Sequence, residues 1–582
     1  MAKIKVPGVY FEEDAKINRD VTLGETGIPA FIGVAERGPL NEPVSVESMS
    51  QFLKIYGLPV EDSYLHDAVN GFFSNGGKHC YIVRIAHVFR HGGGELAKCA
   101  RFELLDNSGY PTLEISASSE GSWGNNISVS IDYLEESRVH TFLTLDLPIG
   151  AHVATLQSTR GIERGTLLKF RDGETERFVT VESVRGNEIF WHEDLDHLFR
   201  SASPTYVESL EFNLYVSDKT RQERFLNLSM SKNAIRNVCR VLEQESQLVR
   251  VKMLSSGNDS SCFPEAIQDV ILRGGRDGLE GITAEDIIGY NNGPGARFGI
   301  GALEPNEIID LVAIPDLHYC RAHCNGFKSD RDIIGVQIAL LNHCERMGDR
   351  FAILDIPKGY RPEQVQDYRS KFESSFGALY YPWVWTNNKG KKRLIPPAGH
   401  IAGLYARCDR EDGVFRAPAN IPLADVYDVE ISLHEGHLAE LNEKGINPIR
   451  NIPQRGIRPW GARSLSNDPD WRYLTSRRVF CAVKRAIYEN TQWVVFEING
   501  KDLRAQVEKT VTDFLANLWA AGYFPGKTQN AAFFVKCDET NNTAENIEEG
   551  SFVVDVGIAI GKPTEFIVMN FEHQIEEPVI ES

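Results

Sequence analysis

Six residues of metal-ligating type fall close together in the middle of the chain: His318, Cys320, His323 and Cys324, followed by His343 and Cys344. Imidazole and thiolate at short spacing could hold a structural zinc. The Cys-x3-Cys pair lacks a clean second pair, so ordinary core and loop roles are expected, with no metal and no cofactor. Asp316 and Asp355 follow apolar runs that read as buried strands, where α/β enzymes place catalytic groups. Neither has a nucleophile or metal motif beside it. Both are therefore expected to cap turns and helices, and no catalytic residue is assigned. The chain has no Gly-x4-Gly-Lys-Ser/Thr phosphate loop, no Gly-x-Ser-x-Gly elbow and no His-Glu-x-x-His helix. Gly92-Gly93-Gly94 and Gly274-Gly275-Arg276-Asp277-Gly278 lack dinucleotide spacing and read as turns.

The elements that would position such groups are those of a mixed α/β chain. Ala30 to Ala35 is a buried-strand run, Asp67 to Phe73 continues a helix closed by Asn75-Gly76-Gly77, and His79 to Ile85 reads as a strand. Leu311 to Pro315 and Arg350 to Asp355 read as buried parallel strands. From about 100 to 205 the pattern becomes β-rich, with Ile127–Ile131 and Arg177–Val181 between Gly, Ser and Asp turns. Asp502 to Trp519 is an amphipathic helix with Leu503, Val507, Val511, Phe514, Leu515 and Leu518 on one side, closed by Gly522.

Composition sets further limits. At 582 residues the chain exceeds a single core, and 42% hydrophobic with 25% charged residues is ordinary for a globular protein. The net charge of −19 opposes phosphate neutralisation, so no nucleic-acid partner is expected. No apolar run approaches the roughly 20 residues of a membrane span, and the start Met1-Ala2-Lys3-Ile4 shows no signal-peptide pattern. Neither membrane insertion nor secretion is expected, and folding in a cytoplasm is. The ten cysteines then read as reduced thiols.

A specific pattern lies in the last third. Pro396-Pro397-Ala398-Gly399-His400-Ile401-Ala402-Gly403-Leu404-Tyr405-Ala406-Arg407-Cys408-Asp409 is followed by Gly413-Val414-Phe415-Arg416-Ala417-Pro418 and Gly456-Ile457-Arg458-Pro459-Trp460-Gly461-Ala462-Arg463-Ser464. Glu489-Asn490-Thr491-Gln492-Trp493 and Phe533-Phe534-Val535-Lys536-Cys537-Asp538 come later, with Val6-Pro7-Gly8-Val9-Tyr10 and Gly76 to Arg84 near the start. In these motifs the chain resembles the contractile tail sheath proteins of phages and of extracellular contractile injection systems. The match covers roughly 1–90 and 380–572, and 135–205 fits no family pattern.

The resemblance implies a non-enzymatic structural subunit that stacks as hexameric rings around an inner tube and contracts to drive the tube through a target envelope. Its implied partners are copies of itself, the inner tube protein, and baseplate and terminal cap proteins. It implies assembly in a bacterial or phage-infected cytoplasm, then residence in a phage tail or tail-like particle. A cytoplasmic α/β enzyme or metal-binding protein using the His/Cys cluster, or another tail or baseplate component, is the alternative. The expected domains are an N-terminal linking arm (1–22), a core from 23–95 and 378–563, a β-rich outer insertion (96–205), an α/β middle domain (206–377) and a C-terminal linking arm (564–582).

Two surfaces follow as expectations. Lys3, Ile4, Lys5 and Val6 at one end, and Phe566, Ile567, Val568, Met569 and Phe571 before an acidic tail at the other, suit strand addition between neighbouring subunits, a linkage the resemblance also implies. On a helix from Arg477 to Tyr488, the residues Arg477, Arg478, Lys484 and Arg485 share one sector, opposite an apolar one. That basic stripe is expected to face an acidic inner tube.

Overall fold

Short apolar runs build the centre of the molecule. Four strands are buried along their whole length: β1 (Pro29–Gly33), β4 (Leu311–Ala313), β5 (Phe351–Asp355) and β6 (Gly377–Tyr381). Continuous burial suits parallel strands covered on both faces. With β2 (Val44–Val46), β3 (Cys80–Arg84), β7 (Ile446–Ile452) and β8 (Gly456–Pro459) they form one eight-stranded sheet, ordered β2-β3-β1-β4-β5-β6-β7-β8. All neighbours from β3 through β7 pair in parallel, and β2 and β8 close the edges antiparallel. The computed structural model describes residues 21–88, 95–133, 137–202, 205–254, 263–293, 295–388 and 391–563.

Separate apolar clusters lie on the two faces of this sheet. One gathers Ile32, Val312, Leu340 and Leu354, the other Phe31, Phe72, Ile353 and Leu404. On the second face α1 (Leu65–Ser74) packs against α2 (Ala398–Glu411). Glycine makes that crossing possible. A Cβ on Gly399 would stand 2.3 Å from the Ala68 carbonyl oxygen, and one on Gly403 would stand 2.4 Å from that of Phe72. Gly399→Ala is expected to destabilise the chain by about 2 kcal/mol, because overpacking against backbone exceeds the gain in helix propensity. Thermal unfolding of the purified variant checks this, and an unchanged midpoint would mean that the helices part freely.

The sheet corrects the expected domain borders. Residues 206–377 do not form a separate α/β unit, since β4 inserts between β1 and β5 of the same sheet. The β-rich region does not stop at 205 either. Strands from Arg101–Leu105 to Ile267–Ile271 form three- and four-stranded sheets around one core that includes Ile115, Trp123, Leu214 and Val249. Within it a second β unit, with its own core of Leu168, Phe170, Ile189 and Phe199, is inserted between the paired strands Ser128–Tyr133 and Phe212–Ser217. The C-terminal part also divides. Helices α3 (Leu474–Asn490) and α4 (Lys501–Ala520) share a cluster with Phe524 and Phe533 that is distinct from both sheet faces.

The amphipathic reading of α4 is reproduced closely. Val507, Val511, Phe514, Leu515 and Leu518 are buried and Leu503 is partly so.

Candidate functional site

The metal-type residues of the middle region serve packing. His318 lies edge-on to Trp383 with ring centroids 5.0 Å apart, and burial pulls its pKa down to about 4. The Cys324 thiol, hydrogen-bonded to Cys320, and then burial push Cys320 well above the usual thiol range. His323 stacks on Tyr319, while burial and the nearby Arg350 and Arg346 hold His343 down to about 3. Among the described residues no three His, Cys, Asp or Glu side chains gather to ligate a metal.

Asp316 and Asp355 both end at helix starts. The Asp316 carboxylate accepts from Val34 N at 2.8 Å and from Tyr64 N at the start of α1. It stands at the carboxyl ends of β1 and β4, on either side of which the chain continues in opposite directions across the sheet. In open α/β sheets that switch point is the usual ligand crevice. Here Asp316 is itself fully buried, lying against Gly33, where a Cβ would stand 2.5 Å from its Oδ2. Burial raises the Asp316 pKa to about 7 although the backbone N–H groups oppose it. Asp355 Oδ1 accepts from Ala398 N at 3.0 Å, capping α2, and burial raises its pKa to about 8.

The basic sector of α3 behaves differently from the expectation. Arg478 is turned inward, with 3% of its surface exposed. Its guanidinium donates to Asp409 Oδ1 at 2.8 Å and Asp310 Oδ2 at 3.2 Å, and lies over the Tyr405 ring. Burial alone would lower its pKa, but the Asp409 and Asp310 carboxylates outweigh that and raise it. Arg485 is also buried and donates to the carbonyls of Ile308 (3.1 Å) and Glu25 (3.0 Å). Arg477, half-buried, stacks over Trp471 at 3.5 Å and donates to Ser375 Oγ. Of the four, Lys484 alone is exposed. Arg478 and Arg485 are thus corrected from a surface stripe to an internal clamp. The wheel located the sector correctly. It could not reveal that Asp310, Asp409 and three carbonyls wait inside to satisfy it.

What the clamp holds is the entry of the chain. Asp310 accepts from Gly27 N (2.9 Å) and Ile28 N (2.6 Å), Arg485 takes the Glu25 carbonyl, and Asn490 Nδ2 donates to the Thr22 carbonyl. Val21 packs in the same cluster as Val556 and Ile558, so both described chain ends sit on the C-terminal unit. That unit carries a two-stranded antiparallel sheet, Phe533–Lys536 with Asp555–Ile558, which no third strand joins among the described residues. The arm residues Lys3, Ile4, Lys5 and Val6, with Phe566, Ile567, Val568, Met569 and Phe571, lie outside the described residues.

Residues 325–465 match the phage tail sheath protein central domain, and residues 466–574 the phage tail sheath C-terminal domain. The tail sheath protein of Vibrio phage KVP40 is 27% identical over 195 residues, which are 33% of this chain and 28% of that protein. That of Burkholderia phage BcepMu is 26% identical over 317 residues, 50% of this chain and 62% of the relative. In both cases the chain spans less than two thirds of the relative's length. The fold is similar to the anti-feeding prophage helical sheath in its contracted state, with TM-score 0.51 and 20% identity over 98% of this chain and 100% of the other. These relatives define a class of structural tail proteins. Over residues 325–574 the chain matches two consecutive domains of the tail sheath protein family.

Proposed function

We propose that this protein is the repeating subunit of a contractile sheath, in which hexameric rings stack around an inner tube and the lattice shortens to drive the tube through a target envelope. One observation carries the reading: central and C-terminal sheath domains follow in order over 325–574. Both strand-end carboxylates are buried and accept backbone N–H groups, which supports a structural role over a catalytic one. Work on the tube would then come from packing differences between two arrangements of one subunit.

Within this reading residues 1–22 and 564–582 link neighbouring copies by strand addition. The open two-stranded sheet beside both chain ends supports that role. The inner tube, baseplate and terminal cap proteins are the further partners. Assembly takes place in the bacterial or infected cell, and the subunit then resides in a phage tail or tail-like particle.

Electron microscopy of the purified full chain, alone and co-expressed with its genomic neighbours, tests this. Striated hollow cylinders, or tubes laid on a thinner core, are expected. Discrete small particles under both conditions would overturn the reading.

A further inference from the structure

A bare aromatic ring marks the turn between α3 and α4. Phe496 is fully exposed, and Val495 and Ile498 beside it are exposed as well. The Phe496 backbone stands at φ 72°, in the left-handed region that a bulky residue rarely adopts. Strain that holds an apolar ring out in solvent points to a contact made outside the subunit.

A cleft of about 230 Å³ opens at the far end of the same two helices. Phe415, Val479, Tyr523 and Phe524 line it, with the Phe415 and Tyr523 ring centroids 4.7 Å apart. A cavity of about 150 Å³ already accepts a benzene ring. This cleft therefore has room for a phenyl group and the backbone that carries it. Thr475 also lines it, 3% exposed, and its hydroxyl oxygen is buried without a partner among the described residues. A buried hydroxyl calls for an acceptor, which the carbonyl of an incoming turn supplies. Lys562 stands at the same cleft and Glu497 follows Phe496, so the two features carry opposite charges.

The ring and the cleft cannot meet within one subunit. The cleft lies where α3 begins and α4 ends, whereas the turn lies where α3 ends and α4 begins. The 17 residues of α3 set them about 25 Å apart. We propose that Phe496 of one copy seats in this cleft of a second copy, where a carbonyl of the turn accepts from Thr475 Oγ1 and Glu497 faces Lys562. A knob and its socket at opposite ends of one body make a head-to-tail contact, which closes into a ring or winds into a helix as copies are added. An inner tube of other sequence would leave the socket on this chain without a purpose. The proposal rests on the reading of stacked rings and adds the residues that join copies within them.

The test uses the full chain in assembled cylinders. Isotopically light copies with a photo-crosslinking phenylalanine analogue in place of Phe496 are mixed with heavy, unmodified copies before assembly. Light-to-heavy products at 475–479, 522–525 or 560–563 are expected. Glu497→Lys in the light copies should lower their yield about fivefold, and Lys562→Glu in the heavy copies should restore it, as for exchange of opposed charges. Phe496→Ala should raise the concentration needed for assembly about tenfold, as for loss of a buried aromatic anchor. Its unfolding midpoint should stay that of the parent, which separates a lost contact from a lost fold. Assembly of that variant at the parent's concentration overturns the proposal. Cylinders whose products stay within one copy, reach only the tube protein, miss the cleft or are absent overturn the seat and leave the stacked-ring reading standing. Discrete small particles in place of cylinders, from the unmodified chain, overturn both.

Discussion

Arg478→Met is expected to lower the unfolding free energy by about 3–5 kcal/mol, since it strands two carboxylates in the interior. Their side chains are 8% (Asp310) and 1% (Asp409) exposed, so water cannot replace the guanidinium. Denaturant unfolding of the purified chain measures the loss. Adding Asp409→Asn to the variant removes one stranded charge and should recover part of it. Proteolysis should also reach residues 22–28 sooner, because Asp310 holds Gly27 and Ile28 only while it is itself held. A variant as stable as the parent would show that the clamp contributes nothing. The same geometry rules out Glu substitutions at 478 and 485 as probes of a tube contact, because they would disturb the fold first. Lys484, exposed on the same helix, is the suitable position.

Asp355→Asn is expected to act in the opposite direction and only at higher pH. In the folded chain burial raises the Asp355 pKa to about 8, whereas in the unfolded chain it titrates near the ordinary value of about 3.9. Between those values the folded state binds the extra proton. Stability therefore falls as pH rises from about 4 to 8 and levels off above. Asparagine can still accept from Ala398 N but carries no charge to bury. At pH 9 the variant should be more stable by on the order of 3–5 kcal/mol, and near pH 4 the two should agree. Parallel stability curves across that range would sink the prediction. Asp316→Asn offers the contrast: both Asp316 oxygens accept backbone N–H groups, so an amide nitrogen would face a donor.

Much of this architecture was legible in the residues. Runs such as Leu311 to Pro315 read as strands buried on both faces, and the spacing from Leu503 to Leu518 reads as a helix with one apolar side. The capping roles of Asp316 and Asp355 were legible too, since a strand-end carboxylate without a chemical partner has few other uses. Two things were hidden for physical reasons. An apolar run does not encode which strand lies beside it, so the insertion of β4 between β1 and β5 was invisible. A helical wheel divides polar from apolar but not solvent from interior, so the inward turn of Arg478 and Arg485 could not be seen without Asp310 and Asp409 in place.

The inserted β unit enters and leaves through two strands whose last and first residues, Tyr133 and Phe212, are direct partners in register. Opposed residues in an antiparallel pair have Cα atoms about 5 Å apart, so the chain passes to and from the unit through one narrow doorway. Any module with closely spaced termini can be spliced through that doorway, or a short turn can seal it, without re-laying the strands behind. That unit is therefore open to exchange or to grafting by design, while the eight-stranded sheet and the clamp stay as they are.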